Sequence, residues 1–299
     1  MIVNFGSLNI DYVYAMDHFI RPGETYTADQ LKIHPGGKGL NQSIAVARAG
    51  GRVRHVGCIG REGLFLKALL DEESIDTTGI LTVEGSNGHA IIQVDKKGEN
   101  CIILYSGANR SLPEGFVAEQ AAQLTGDELV LFQNETDGIA DMMRLAKRKG
   151  CRLALNPAPM DDRVKAFPLD QVDYLIVNEG EGAALAGFVP DQDETGFIRL
   201  LQALASQYPQ AHIILTLGPL GLMYAWKDHR LAIPAYDAGP VVDTTAAGDT
   251  LIGTYLALID EGVDDAAALA WATRAAGMTV TRAGAASSIP YRREYTEPV

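Results

Sequence analysis

The chain has 299 residues, 47% hydrophobic and 21% charged, which is enough apolar material for one large core or two modest ones and excludes a disordered or fibrous polymer. Acidic residues outnumber basic ones by 38 to 25, and the resulting formal charge of −13 repels a phosphate backbone, so nucleic acid is excluded as a partner. No apolar run approaches the roughly 20 residues of a bilayer span, and the first ten residues lack a basic stretch followed by an apolar one, so the expectation is a cytoplasmic protein with no membrane partner.

A strand is predicted over residues 2–5, followed by Ser7-Leu8-Asn9-Ile10-Asp11. Ligands of open α/β sheets bind beyond the carboxyl ends of strands, so Asn9 and Asp11 stand where hydroxyls could be gripped; an Asx turn is the plain alternative. Further strands are predicted over 11–15, 30–34, 89–95 and 101–105, with few helices between them and a hairpin turn at Lys96, Lys97, Gly98 and Glu99. A strand-rich piece drawn from about 11–34 and 89–105 would form a small sheet projecting from an α/β core. Its edges need hiding, either over a substrate cleft or against a second subunit.

From residue 129 onward short β-rich runs alternate with helical patterns, the mark of βαβ units and a parallel sheet. The prediction is a strand over 129–133, a helix over 137–149 stopped by Gly150, and strands over 152–155 and 174–177. A short helix and a longer one come next. A strand over 212–217 leads into a hairpin of 221–226 with 231–236, turning at Lys227, Asp228 and His229, and helices over 251–260 and 265–276 close the chain.

The most informative stretch is Val242-Asp243-Thr244-Thr245-Ala246-Ala247-Gly248-Asp249-Thr250, which runs into the predicted helix. Ala246, Ala247 and Gly248 let backbone approach a ligand, and the unpaired N–H groups of a first helical turn attract anions, so this is a candidate phosphate cradle. A carboxylate beside an incoming phosphate repels it. Taking a proton from an attacking hydroxyl is one reason for Asp249 to be there; capping the helix is the other.

Pro35-Gly36-Gly37-Lys38-Gly39-Leu40-Asn41-Gln42 precedes a helical run over 43–48 that stops at Gly50 and Gly51. It matches neither the Walker A loop nor the dinucleotide fingerprint. Three glycines could seat a loop against a small polar ligand, with Lys38 and Asn41 as donors, or merely form a flexible connection with a solvated lysine. Glu135 follows the 129–133 strand. Asn178 and Glu181, in N-E-G-E, could help hold a hydrated magnesium ion through water, and Thr216-Leu217-Gly218-Pro219-Leu220-Gly221 makes either a nucleotide contact or a tight turn.

Other chemistries are poorly represented. The six histidines show no ligand-pair spacing, no G-x-S-x-G elbow occurs, and Cys58, Cys101 and Cys151 are too far apart for a disulfide framework or a zinc pair. Met142 and Met143 read as core filling.

Together these segments resemble the ribokinase family of sugar kinases, in the right order and over nearly the whole chain. G-G-K-G-L-N-Q is similar to that family's first signature and V-D-T-T-A-A-G-D-T to its second, with N-P-A-P at 156–159 and T-L-G at 216–218 between them. The resemblance implies a single kinase domain over 1–299: a three-layer α/β/α core with a mostly parallel central sheet, plus a small inserted β-sheet lid. It implies that Asn9, Asp11, Gly37, Lys38, Gly39, Asn41 and Glu135 hold a sugar, that Asp249 is the base, and that Ala246, Ala247 and Gly248 build the anion hole. Asn178, Thr216, Gly218, Gly221, Gly248 and Thr273 would contact ATP, and Glu181 would organise Mg2+ indirectly. An activating K+ would lie among Asp243, Thr245, Thr279, Arg282, Gly284 and Ser288, mostly through backbone carbonyls. A homodimer through the lid sheet is implied as well.

Two positions depart from the family pattern. Pro219 cannot offer a backbone N–H to a nucleotide, and Ala247 stands where the common signature has glycine. The polar set around Asn9 and Glu135 favours ribose over a nucleoside, whose base needs an apolar stacking surface, although Tyr12, Tyr14 and Tyr105 could provide one. Another sugar, a nucleoside and a catalytically silent sugar-binding regulator are the alternatives. A dehydrogenase is excluded by the missing G-x-G-x-x-G turn after the first strand.

Overall fold

Strand segments such as Leu129–Phe132 and 213–215 are apolar without interruption, so both faces of their sheet must be covered, and the chain supplies helices for each. Residues 1–296 are described, in a computed structural model. The order begins β1 (Ile2–Phe5), β2 (Asn9–Ala15), β3 (Gln30–Gly36), α1 (Lys38–Arg48), β4 (Val53–Ile59), α2 (Leu64–Glu72), β5 (Asp76–Thr82), β6 (Gly88–Val94), β7 (Asn100–Tyr105) and α3 (Phe116–Ala122). It continues with β8 (Leu129–Phe132), α4 (Ile139–Lys149), β9 (Arg152–Leu155), β10 (Tyr174–Asn178), α5 (Glu179–Ala186), α6 (Glu194–Gln207), β11 (His212–Thr216), β12 (Leu222–Trp226) and β13 (His229–Ile233). Helices α7 (Ala247–Glu261), α8 (Asp265–Thr279) and α9 (Arg292–Thr296) complete it.

The large sheet has the order β13-β12-β11-β10-β9-β8-β1-β4-β5, parallel from β11 to β5, with β12 antiparallel to its neighbours. Alternation along each strand sends side chains to two cores. Ile2, Leu129, Leu131, Ile176 and Ile214 pack under α1, α2, α7 and α8. Val3, Phe5, Val130, Phe132 and Leu153 pack under α3, α4 and α6. Each such fully buried side chain contributes about 1.5–3 kcal/mol. The result is three layers, and the parallel strands deliver their carboxyl ends to one rim.

A second sheet, β3-β2-β6-β7, stands apart from the first. Tyr12, His89 and Tyr105 form a ladder of ring contacts across it, with centroids 5.8 and 5.2 Å apart. Its outer strand β7 is exposed along its whole length, Ile103 by 58% and Leu104 by 56%.

The predicted strand-rich first third needs correction. Besides the small sheet it contributes β1, β4 and β5 to the large one, with α1 and α2 between them, so the α/β alternation runs from the start of the chain. The hairpin after β11 also turns more tightly: Trp226 pairs with His229, which leaves a two-residue turn of Lys227 and Asp228 and ends β13 at Ile233. Helix α4 stops as expected at Gly150, which is left-handed at φ 98°, with Lys147, Arg148 and Lys149 complementing the dipole of the last turn. Among the described residues no helix is long and apolar enough to cross a membrane.

Candidate active site

Helix α7 begins without a side-chain cap. Ala246 takes a left-handed conformation, φ 62°, just before it, and Asp249 sits in its first turn. The capping alternative fails: the Asp249 carboxylate turns inward, Oδ2 accepting from Asn41 Nδ2 at 3.0 Å and Oδ1 from Gln42 Nε2 at 2.9 Å. Both donors lie in α1, so the two signature segments meet across the interface of α1 and α7. Gly253 permits that approach, since a Cβ there would stand 2.4 Å from the Ala45 side chain. Gly248 is different. A Cβ on it would meet nothing within 4 Å among the described residues, so the space over the first turn of α7 is open to an incoming group.

Helix α1 starts at Lys38, so Gly39 and Asn41 belong to its first turn instead of to a loop before it. Gly37 caps it at φ 94°, and Gly39 lies so close to the β1–β2 connection that a Cβ would come within 2.3 Å of the Ser7 nitrogen. A lysine at a helix N-terminus opposes the dipole, and three carboxylates compensate. Burial alone would lower the Lys38 ammonium, but Asp249, Glu135 and Glu181 more than offset it and raise it. Lys38 is partly buried, in keeping with a lysine held near these carboxylates and not freely solvated.

Glu135 accepts from the Ser7 hydroxyl and, at 3.0 Å, from the Lys38 backbone N–H. Burial, with help from Asp249, raises its carboxyl despite Lys38 and these donors. Asp11, in β2 beside Gly36, is raised to about 7, first by burial and then by the negative charge of Glu135. Asn9 is in β2 and not in an Asx turn, and its Oδ1 accepts from Asn109 Nδ2 at 2.7 Å. Asn41 reaches Asp249 directly, Lys38 is influenced by the charges of Asp249 and Glu135, and Asp11 by that of Glu135, which links these polar groups to Asp249.

A cleft of 590 Å3 opens at the start of α7, lined there by Thr244, Ala247 and Gly248. Thr216, Gly218, Gly221, Gly248 and Thr273 line it, together with Val241 and residues 235–239. Gly221 is required there, at φ 99° with a virtual Cβ 2.1 Å from the Ile233 carbonyl. The Thr273 hydroxyl donates to the Leu269 carbonyl at 2.8 Å, so its hydrogen is already committed within α8. Asn178 is not among the residues lining it. It caps α5 instead: its side chain accepts from the Glu181 N–H at 2.8 Å, and Glu181 accepts from the Asn178 N–H at 3.0 Å. Asn156, of the N-P-A-P segment, adds a contact to Glu181 at 3.4 Å, and burial raises the Glu181 carboxyl against these donors.

Asp243 ties two loops together. Its Oδ1 accepts from the Thr245 N–H at 2.9 Å and hydroxyl at 2.7 Å, and its Oδ2 from the Gly284 N–H at 2.9 Å. Burial opposes ionisation, but these hydrogen bonds hold the carboxyl low. A carboxylate that gathers the 243–245 and 280–288 backbones suits a weakly held monovalent cation. The side chains of Thr279 and Arg282 are engaged elsewhere, with Ala275 and Glu294, so these residues could serve such an ion only through carbonyls. Among the described residues no cluster of three or more His, Cys, Asp or Glu side chains could hold a metal.

Sequence reasoning overlooked Gln42 and Asn109. Gln42 follows Asn41 in the glycine-rich segment, and a residue one step along a helix points about 100° away, which concealed that both reach the same carboxylate.

Residues 1–292 match the pfkB family of carbohydrate kinases. The chain is 37% identical to the ribokinase of Haemophilus influenzae, over 98% of this chain and 96% of that one. Among solved structures it is similar to ribokinase from Cryptococcus neoformans in complex with ADP, at TM-score 0.85 and 32% identity, covering 98% of each chain. It is also similar to Arabidopsis thaliana ribokinase complexed with ribose and ATP, at TM-score 0.84 and 26% identity, covering 98% of this chain and 96% of that one.

Proposed function

Because the chain belongs to the pfkB family of carbohydrate kinases, we propose that it transfers the terminal phosphoryl group of ATP to D-ribose, giving D-ribose 5-phosphate. The observation that carries the proposal is the position of Asp249: buried, doubly hydrogen-bonded from α1, and at the open N-terminus of α7, where Ala247 and Gly248 line a 590 Å3 cleft.

Ribose takes the polar side. Asn9, Asp11, Lys38, Asn41 and Glu135 hold its hydroxyls, with Gly37 and Gly39 allowing close backbone approach. Asp249 then accepts the proton of the terminal hydroxyl as its oxygen attacks phosphorus. Charge developing on the transferred group meets the N–H groups around Ala246, Ala247 and Gly248, with Lys38 nearby. ATP occupies the cleft with its base toward Val241 and Thr273 and its phosphates toward Thr216, Gly218 and Gly221, while Asn178 approaches it from the start of α5.

Mg2+, when bound with ATP, supplies neutralising charge. Glu181 would hold it only through water, since Asn178 and Asn156 already engage both carboxylate oxygens. K+ would sit among the backbone carbonyls around Asp243, Thr245, Thr279, Arg282, Gly284 and Ser288, where it would fix the loop leading into α7. The small sheet is read as a lid on the ribose pocket and as the surface of a homodimer. Ile102, Ile103 and Leu104 are consecutive and each at least 50% exposed, so the edge strand β7 is uncovered on both faces. The whole chain then acts as one kinase domain.

The test is ADP release from ATP and Mg2+ with ribose, deoxyribose, fructose, hexoses and adenosine, in potassium and in choline salts. Ribose-dependent turnover raised by potassium is expected. Preference for adenosine or a hexose would overturn the acceptor, equal rates in choline the cation site, and no turnover with any acceptor the kinase reading itself. Sedimentation showing only monomer at micromolar concentration would remove the dimer.

A further inference from the structure

We infer that Gln133 is a positioning residue for Asp249, acting through Gln42 as the shared donor of two diverging arms of buried hydrogen bonds; the inference rests on the phosphoryl-transfer reading above. Gln42, which donates to Asp249, accepts through Oε1 from Gln133 Nε2 at 2.6 Å. The same Gln133 nitrogen donates to Asn4 Oδ1 at 3.0 Å, and Asn4 Nδ2 donates to the Gly39 carbonyl at 2.7 Å and to the Ser43 hydroxyl at 2.8 Å. Ser43 meets His55 Nδ1 at 2.8 Å, and His55 Nε2 meets the Gly6 carbonyl at 3.1 Å. Asn4, Gln42, Ser43 and His55 are 0% exposed and Gln133 is 1%.

The chemistry of the two ends dictates every orientation between them. A carboxylate that takes proton donors forces Gln42 to present its NH2 group, so its oxygen faces Gln133. The Gly39 carbonyl can only accept, so Asn4 also presents NH2 and turns its oxygen to Gln133. Gln133 must therefore donate both of its hydrogens. Ser43, receiving one hydrogen bond from Asn4, gives its own hydrogen to His55 Nδ1, which leaves His55 neutral with its proton on Nε2 for the Gly6 carbonyl. Burial holds the His55 imidazole down at about 4, so it stays neutral across the physiological range.

The arrangement has a cost. Among the described residues, Gln133 Oε1 is buried without a hydrogen-bond partner, a loss of about 1–3 kcal/mol that turning the amide over would not relieve, because its oxygen would then face two acceptors. What the cost secures is direction. Gln42 cannot rotate to offer Asp249 an oxygen, and the base is joined through Asn4 to the Gly39 and Gly6 carbonyls beneath the ribose pocket, so base and pocket move as one body.

The experiment is Gln133→Met, which keeps volume and deletes both donors, alongside Gln42→Met and the double variant. We expect kcat to fall about 10- to 100-fold in Gln133→Met, the cost of a misdirected reacting group, with KM for ribose and ATP within about twofold of the parent. The double variant should lose no more than Gln42→Met, since both act through one hydrogen bond to Asp249. An unchanged kcat, or losses that multiply in the double variant, would overturn the inference. A second readout needs no turnover: the Gln42 side-chain NH2 signals in 15N spectra should exchange with water at least about tenfold faster in Gln133→Met than in the parent. Unchanged exchange refutes the ordering even if the parent proves inactive on every acceptor, whereas faster exchange in an inactive protein leaves the chain ordered and faults only the kinase reading. Should Gln133→Met not fold, Gln133→Leu carries the same comparisons, because it too removes both donors without adding a charge.

Discussion

The rim of the large sheet and the small sheet hold the polar residues proposed to bind ribose in opposite ways. Asp249, Asn41 and Gln42 are all under 9% exposed, on helices packed against each other, and every carboxylate oxygen of the base has a donor. Asp11 comes from β2 of the small sheet, whose outer strands β3 and β7 are open to solvent. Groups that must be placed to within a fraction of an ångström are built into the core. Groups that must let a sugar in and out are placed on a sheet that the core does not cover.

The sharpest way to break the buried half is Asp249→Asn, which keeps the shape and removes the proton acceptor. Turnover should fall about 10²- to 10⁴-fold while ribose binding, read by calorimetry, stays within a few-fold. Near-normal turnover would mean that the base lies elsewhere. Next in size is Gly39→Ala. The added methyl would lie 2.3 Å from the Ser7 nitrogen and 2.6 Å from the Gly6 carbonyl carbon, contacts with backbone that cannot rotate away. A loss of about 1–3 kcal/mol in denaturant unfolding is expected, together with weaker ribose binding as α1 is pushed off the β1–β2 connection. A variant as stable as the parent would show that the glycine is not needed for packing.

The core half was also the more legible in sequence. Small residues before a helix, with an aspartate at the first turn, have a direct physical meaning, and α7 begins within the stretch they mark. The β4 and β5 strands were hidden because Val53–Ile59 carries Arg54, His55 and Gly57, which break its apolar run, and Asp76–Thr82 is rich in polar residues. Their partners come only from the fold: Arg54 Nη1 donates to Gln123 at 2.7 Å, although its Nε and Nη2 stay buried without a partner among the described residues, and His55 sits in the chain below Asp249. The same holds for Gln133 and Asn109, whose partners are brought near by topology and by no local pattern. Asp11 lies inside β2 and not beyond a strand end, and its interaction with Glu135 needed the structure, because the two are 124 positions apart in the chain.

The exposed half is probed by Ile103→Asp on β7. A charge on a 58% exposed position should cost the fold about 0.5 kcal/mol or less, so the thermal midpoint should stay within a few degrees. If β7 forms a subunit contact, the variant sediments as a monomer, and the apparent KM for ribose rises several-fold as the lid loses support, with kcat little altered. A variant that still dimerises would place the contact elsewhere.

The finest distinction between the two halves is in their response to pH. Asp11 is raised to about 7 in the fold from an ordinary 3.8, first by burial and then by Glu135, so the folded state binds its proton more tightly than the unfolded chain does. The stability it contributes is therefore complete below about 4 and is lost as the pH rises through about 7. Between pH 5 and 8 this one group should withdraw about 2 kcal/mol from the ribose-free protein. Asp11→Asn, which has no proton to lose, should flatten that part of the curve and be more stable than the parent at pH 8, while the two proteins converge toward pH 4. Urea unfolding of both at pH 5, 6.5 and 8 reads the difference directly. Parallel curves would mean that Asp11 is solvated as an ordinary carboxylate and that the sheet carrying it stands open over the pocket when no sugar is bound.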